Sequence, residues 1–293
     1  MAEFVQTLAL GLLIGGVYAL MASGLTLVFG VMRVINVAQG AFLVLSAFVT
    51  WWVWRATGID PIALAALTTP LMFGFGWVFY RLVGARLRSA PPSMSVLLMF
   101  GVALLIEGLL NVTAGNRYRS ATPGYFDESY TLGPISLPKA PLYGFLAALA
   151  VLAAFYAVLN RTWTGRAIRA WAQNPSGAAL VGVSAVPTAT LAFALGTAST
   201  GMGGSVLSVL VPFFPASHYE WIARILGIIV LGGLGSLPGA LTGALILGLA
   251  EALTSVYVSP QWSILVFYGV IMAVLIVRPQ GLFGARVRED VAA

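Results

Sequence analysis

The stretch Phe4-Val5-Gln6-Thr7-Leu8-Ala9-Leu10-Gly11-Leu12-Leu13-Ile14-Gly15-Gly16-Val17-Tyr18-Ala19-Leu20-Met21-Ala22-Ser23-Gly24-Leu25-Thr26-Leu27-Val28-Phe29-Gly30 runs 27 residues without a charge. A helix needs roughly 20 apolar residues to cross the hydrocarbon core of a bilayer, so this one segment already asks for a membrane. It is not read as a secretory signal. Such a signal needs a positive region before a short apolar core, whereas here the first charge is Glu3 and the apolar run is long. The segment is a retained first membrane helix.

The rest of the 293 residues follows suit: 60% are hydrophobic and 8% are charged. A soluble domain carries roughly 25% charged residues, so an ordinary soluble enzyme is excluded, and so is disorder. In lipid this length makes one bundle of about 8–10 spanning helices, a single transmembrane domain over residues 1–293. Nine apolar segments are visible, at about 4–30, 36–54, 61–83, 93–113, 140–160, 187–211, 222–234, 237–257 and 260–278. The seventh is short and reads as a half-helix or re-entrant piece, tolerated only where it lines protein or water.

Sidedness is read from the arginines. With the N-terminus outside, the inner loops hold Arg33; Arg81, Arg86 and Arg88; Arg161, Arg166 and Arg169; and Arg278, Arg286 and Arg288. The outer loops hold Arg55, Arg117, Arg119, Lys139 and Arg224. The positive-inside rule then favours N-out and C-in. Residues 114–139, rich in turn residues, form an outer loop, and residues 161–186 an inner one. Four-residue glycine spacing at Gly11/Gly15 and at Gly235/Gly239/Gly243 suits close helix packing. Pro70, beside Thr68 and Thr69, suggests a kink whose freed carbonyl a hydroxyl can satisfy.

Much chemistry is excluded. There is no cysteine and a single histidine, His218, so thiol catalysis and clustered Cys/His metal sites are out. A phosphate-binding P-loop needs a Gly-rich run ending in Lys. The lone lysine, Lys139, lies between Pro138 and Ala140, so this chain cannot be a P-loop ATPase. No basic water-exposed domain is present for nucleic acid.

What remains is polar residues inside apolar segments. Glu107 and Glu251 are acids within spans, which are functional candidates by default. Either each bonds a neighbouring helix, or the pair relays protons in a secondary transporter. Arg33, Asn36 and Gln39 surround the start of a helix, whose free N–H groups can line a path, bind a carboxylate or simply be capped by Asn36. The inner loop Thr164-Gly165-Arg166-Ala167-Ile168-Arg169-Ala170-Trp171-Ala172-Gln173-Asn174-Pro175-Ser176-Gly177-Ala178-Ala179-Leu180-Val181-Gly182-Val183 reads as an amphipathic helix, a break at Asn174-Pro175, and a short Ala-rich helix. It suits either a knob for a partner's groove or a helix lying on anionic lipid.

Five stretches together resemble a known family: Gly15 to Gly30, Val31 to Gly40, Gly165 to Val183, Leu231-Gly232-Gly233-Leu234-Gly235-Ser236-Leu237-Pro238-Gly239-Ala240, and Arg278-Pro279-Gln280-Gly281-Leu282-Phe283-Gly284. The sequence is similar to the permease subunits of branched-chain amino acid ABC importers, of the LivH type. The resemblance implies an all-α permease of the bacterial inner membrane, paired with a second, homologous permease. Two ATPase subunits carrying ATP and Mg would dock below, and an external binding protein would deliver substrate. No cofactor is expected in this chain. By the same resemblance the ATPase-coupling residues are Arg166, Arg169, Asn174, Ala178, Ala179 and Gly182, and the translocation path is lined by Tyr18, Ser23, Asn36, Gln39 and Glu107. The family often has His where Gln39 stands, so no role for an imidazole is expected there. Relatives that carry urea, short amides or other small carboxylates leave the substrate open.

Overall fold

The computed structural model describes residues 2–84, 91–133 and 135–284. Arg86, Arg88, Arg286 and Arg288 lie outside the described residues. Nine long helices follow the nine apolar segments in order: α1 (Ala2–Met32), α2 (Gln39–Thr57), α3 (Ala65–Leu82), α4 (Pro92–Ala114), α5 (Lys139–Arg161), α8 (Ala185–Leu210), α9 (His218–Gly232), α10 (Leu237–Tyr257) and α11 (Pro260–Val277). Two short helices, α6 (Trp163–Gln173) and α7 (Pro175–Leu180), fill the stretch expected as an inner loop. Six of the helices are long and apolar enough to cross a bilayer by length and composition alone. The stretch expected as an outer loop contains a small hairpin, β1 (Ser129–Leu132) paired antiparallel with β2 (Ile135–Pro138).

α1 and α8 form the buried centre, and α5 and α11 are exposed along most of their length. α1 packs on α5, α8, α9 and α10. Its approach to α10 is close: a Cβ on Gly248 would lie 2.6 Å from the Gly15 Cα. Small residues permit such backbone contact, which is how helices associate in lipid without a hydrophobic driving force. The glycine spacing of the sequence is thus spent on the α1–α10 contact at Gly11 and Gly15 and on the α9–α10 contact at Gly239 and Gly243, while Gly235 lies in the turn before α10 against Gly30. At Pro70 the hydroxyls behave otherwise than expected. Thr68 donates to the carbonyls of Leu64 (3.2 Å) and Gly201 (3.0 Å), not to that of Ala66, four residues before the proline, and Thr69 Oγ1 is buried without a partner.

Two helices begin inside the bundle. α1 ends in a left-handed turn at Arg33 (φ 53°), the one non-glycine with positive φ among the described residues. The chain then turns back, so that Gln39, first in α2, donates from Nε2 to the Gly196 carbonyl in the middle of α8 (2.9 Å). The same Nε2 lies beside Gly24, eight residues short of the end of α1, or about 12 Å along its axis. α9 starts against this point. A Cβ on Gly40 would lie 2.5 Å from the His218 carbonyl oxygen and 2.9 Å from Ile222 Cβ. With 15 residues, α9 is about 22 Å long, short of the roughly 30 Å hydrocarbon core.

The far end of α9 is finished by the C-terminal segment. The N–H groups of Leu282 and Phe283 donate to the carbonyls of Leu231 (2.8 Å) and Gly232 (3.0 Å). The last carbonyls of a helix have no partner within it, and here residues beyond α11 supply two.

Candidate functional site

The charged side chains inside the bundle collect around α9. Arg224, buried at 8% exposure, donates from Nη1 to both Glu251 oxygens (2.9 and 3.1 Å) and to the Tyr18 hydroxyl (3.0 Å). Tyr18 in turn donates to Glu251 Oε2 (2.8 Å), and Arg224 Nε donates to Glu220 Oε1 (3.1 Å). The rings of Phe267, Trp221 and Tyr18 lie 5.3, 5.7 and 6.0 Å from the guanidinium carbon. A guanidinium tolerates such aromatic company because its charge meets the negative ring faces. Four helices, α1, α9, α10 and α11, meet at this one cation.

A second pair lies at the start of α9. His218 Nε2 is 2.9 Å from Glu107 Oε2 of α4, with His218 only 2% exposed. The carboxylate sits at a helix N-terminus, where negative charge is favoured. Next to it, Asn36 Nδ2 donates to Gln39 Oε1 (3.1 Å), and Asn36 Oδ1 is buried without a partner.

These positions correct one expectation. Arg224 was expected in an outer loop and is a buried residue of α9, as is His218, each holding one of the two intramembrane acids. The seventh segment starts one turn earlier than its apolar run because that turn carries the polar residues His218 and Glu220, each paired. Glu107 and Glu251 do not meet each other: their partners are six residues apart on α9, about 9 Å along its axis. The sequence offered one signal for the pairs, a surplus acid in each span. It offered none for which cation answers it.

Of the other path candidates, Ser23 donates to Leu20 within its own helix (2.7 Å) and lines a cavity of about 660 Å³ between α1, α5, α6 and α10. Tyr18 lines a separate cavity of about 380 Å³ between α1, α8, α10 and α11. Asn36 and Gln39 line neither of these two cavities.

The six coupling candidates divide by direction. Asn174 caps α7, its Oδ1 accepting from the Gly177 N–H (2.9 Å), and this is the break expected at Asn174-Pro175. Ala178 is buried. Arg169 hydrogen-bonds Asn160 at the end of α5, and Arg166 lies over the Trp163 ring at 4.7 Å. Ala179 and Gly182 (φ 84°) face outward. Between them stand Leu180 and Val181, 90% and 77% exposed. Sequence reasoning named their neighbours and passed over both, although two aliphatics at a tip flanked by Ala and Gly were a visible signal.

Comparison with known proteins now decides the class. The family described as branched-chain amino acid transport system / permease component matches residues 7–275. The chain belongs to that family. The high-affinity branched-chain amino acid transport system permease protein LivH of Escherichia coli K12 is 29% identical over 96% of both chains. BraD of Pseudomonas aeruginosa, named for the same kind of system, is 26% identical over 96% of both. The autoinducer 2 import system permease protein LsrC of Yersinia pseudotuberculosis is 28% identical over 83% of this chain and 68% of its own. No solved structure matches the chain. The permease is therefore a transporter component and a multi-pass protein of the cytoplasmic membrane. Two of the stretches that carry the resemblance, Leu231 to Ala240 and Arg278 to Gly284, are in contact in the permease: they are the end of α9 and the segment that completes it.

Proposed function

We propose that this permease forms, with a second permease chain, the translocation path of an ABC importer for branched-chain or related amino acids. The reading is supported by LivH and BraD, which match along 96% of their length. Two ATPase subunits, which bind ATP and Mg, dock on α6–α7, and an external binding protein delivers substrate at the hairpin end. The observation that carries the docking is the projecting tip Ala179-Leu180-Val181-Gly182, capped rigidly by Asn174 at its base. Two bare aliphatics on a short helix suit a partner's groove better than open water.

The orientation we propose is N-out and C-in. With Arg224 withdrawn into α9, the outer set reduces to Arg55, Arg117, Arg119 and Lys139, and the arginine bias toward the α6–α7 end grows. ATP binding would close the ATPase pair, move α6–α7, and shift the bundle between its two openings.

Co-expression with the genomic neighbours and purification through a tag on this chain tests the proposal. An ATPase and a second permease should co-purify, and Ala179→Arg should abolish both that association and amino acid uptake. A chain that purifies alone and accumulates substrate down a proton gradient would overturn it.

A further inference from the structure

The smaller cavity, about 380 Å³, has a two-sided chemistry. Its volume falls within the roughly 300–1,000 Å³ of small-molecule sites. One wall is aliphatic, with Ile14 and Val17 of α1 facing Leu207 and Leu210 of α8. The other wall is polar: Tyr18, Glu251, Ser255 and Ser263, with the Trp221 ring beside them. The Glu251 carboxylate is held by Tyr18 and Arg224 yet borders the cavity. Two oxygens offer about four acceptor sites, and three hydrogen bonds use them here. Arg224 also answers Glu220, so this cluster has two carboxylates for one guanidinium. Pro260 and Ser263, in the first turn of α11, close the same wall, and a helix N-terminus carries partial positive charge.

We infer that this cavity is a binding site for a zwitterionic α-amino acid with an aliphatic side chain. The ammonium group sits on Glu251 and faces the Trp221 ring. The carboxylate points to the first turn of α11, with the hydroxyls of Ser263 on α11 and Ser255 on α10 beside it, and the side chain lies against Leu207, Leu210 and Val17. The inference rests on the importer reading and adds to it a place of contact within this chain. The larger cavity does not serve: it offers Arg169 and Asn160 but no carboxylate for an ammonium group. A neutral polyol would gain nothing from the excess charge.

The test uses a diazirine analogue of leucine, photolysed on the complete transporter in proteoliposomes, with adducts located by mass spectrometry. Adducts are expected within residues 10–21, 207–211 and 251–263, and excess leucine should compete them away. Ser255→Phe fills the cavity without touching the ion pair. Arg224→Met with Glu251→Gln removes both charges together, so that no unpaired charge stays buried. Each should cut labelling by at least about tenfold, the worth of one charge-assisted contact, while association with the ATPase persists. If the unaltered complex imports leucine but the adducts lie elsewhere or survive both variants, the site assignment is overturned and the importer reading stands. If the complex imports no leucine with ATP and its binding protein, the importer reading fails and takes the site with it.

Discussion

Arg224 on α9 and Glu251 on α10 face each other inside the bundle with both carboxylate oxygens within 3.1 Å of one guanidinium nitrogen. Taking Arg224 away leaves the Glu251 carboxylate without its cation, whereas taking Glu251 away leaves Arg224 with Glu220. Arg224→Met alone should therefore lower stability by about 3–5 kcal/mol, and Glu251→Gln alone by less. The double substitution should recover most of that loss. Thermal unfolding of the purified permease in detergent reads the difference, and a double-variant loss equal to the sum of the two single losses would show that the pair is not coupled.

Glu107 and His218 call for a different pattern. His218 needs a hydrogen-bond partner more than a charge, because it is buried. Glu107→Gln keeps a polar partner and should cost little, whereas Glu107→Leu strands the imidazole and should cost about 1–3 kcal/mol. In uptake assays Glu107→Gln should stay within about threefold of the unaltered transporter, less than the roughly tenfold of 1.4 kcal/mol. Abolished uptake in that variant, together with dependence on a proton gradient, would point to Glu107 as a proton carrier instead.

Gly40 and Gly74 make a matched comparison. A methyl group at Gly40 would meet the His218 carbonyl at 2.5 Å and force α9 away from α2. Gly40→Ala should destabilise by about 1–3 kcal/mol, as overpacking does. At Gly74, inside α3, a methyl group would meet nothing within 4 Å, and Gly74→Ala should stabilise by up to about 1 kcal/mol through helix propensity. Melting temperatures that move in the same direction would argue against the close contact of the two helix starts.

Leu180 stands almost wholly outside the fold, so replacing it should leave the permease intact. Leu180→Asp is expected to weaken ATPase association by roughly 30-fold, the effect of losing an interface anchor worth about 2 kcal/mol, with no change in melting temperature. Unchanged association would move the docking surface away from the tip of α7.

The helices were legible because hydropathy is a local property: each of the nine segments declares itself within its own window. So was the break at Asn174-Pro175, where a capping side chain and a proline are adjacent in sequence. The polar interior was not. Arg224 read as a loop residue because a positive charge in an apolar run is costly unless paired, and its partner Glu251 lies 27 residues away. His218 likewise finds its partner far along the chain, in Glu107 at a separation of 111. A sequence window sees the cost of such a charge but not its partner. The inward start of α2 was half legible: Asn36 and Gln39 announced an unusual helix end, but only packing against Gly24 and Gly196 shows that this end is deep.

The finishing of α9 by Leu282 and Phe283 bears on how the permease is made. Gly232 leaves the ribosome fifty residues before Leu282, a delay of roughly 3–10 s at 5–20 residues per second. During that interval the carbonyls of Leu231 and Gly232 lack their native donors, and the helix holding both buried acids is unfinished. α9 can then settle only after α10 and α11 have been threaded, so assembly of the interior is a closing event in biogenesis, and a ribosome stalled before residue 282 would release a chain whose membrane spans are in place but whose centre is not.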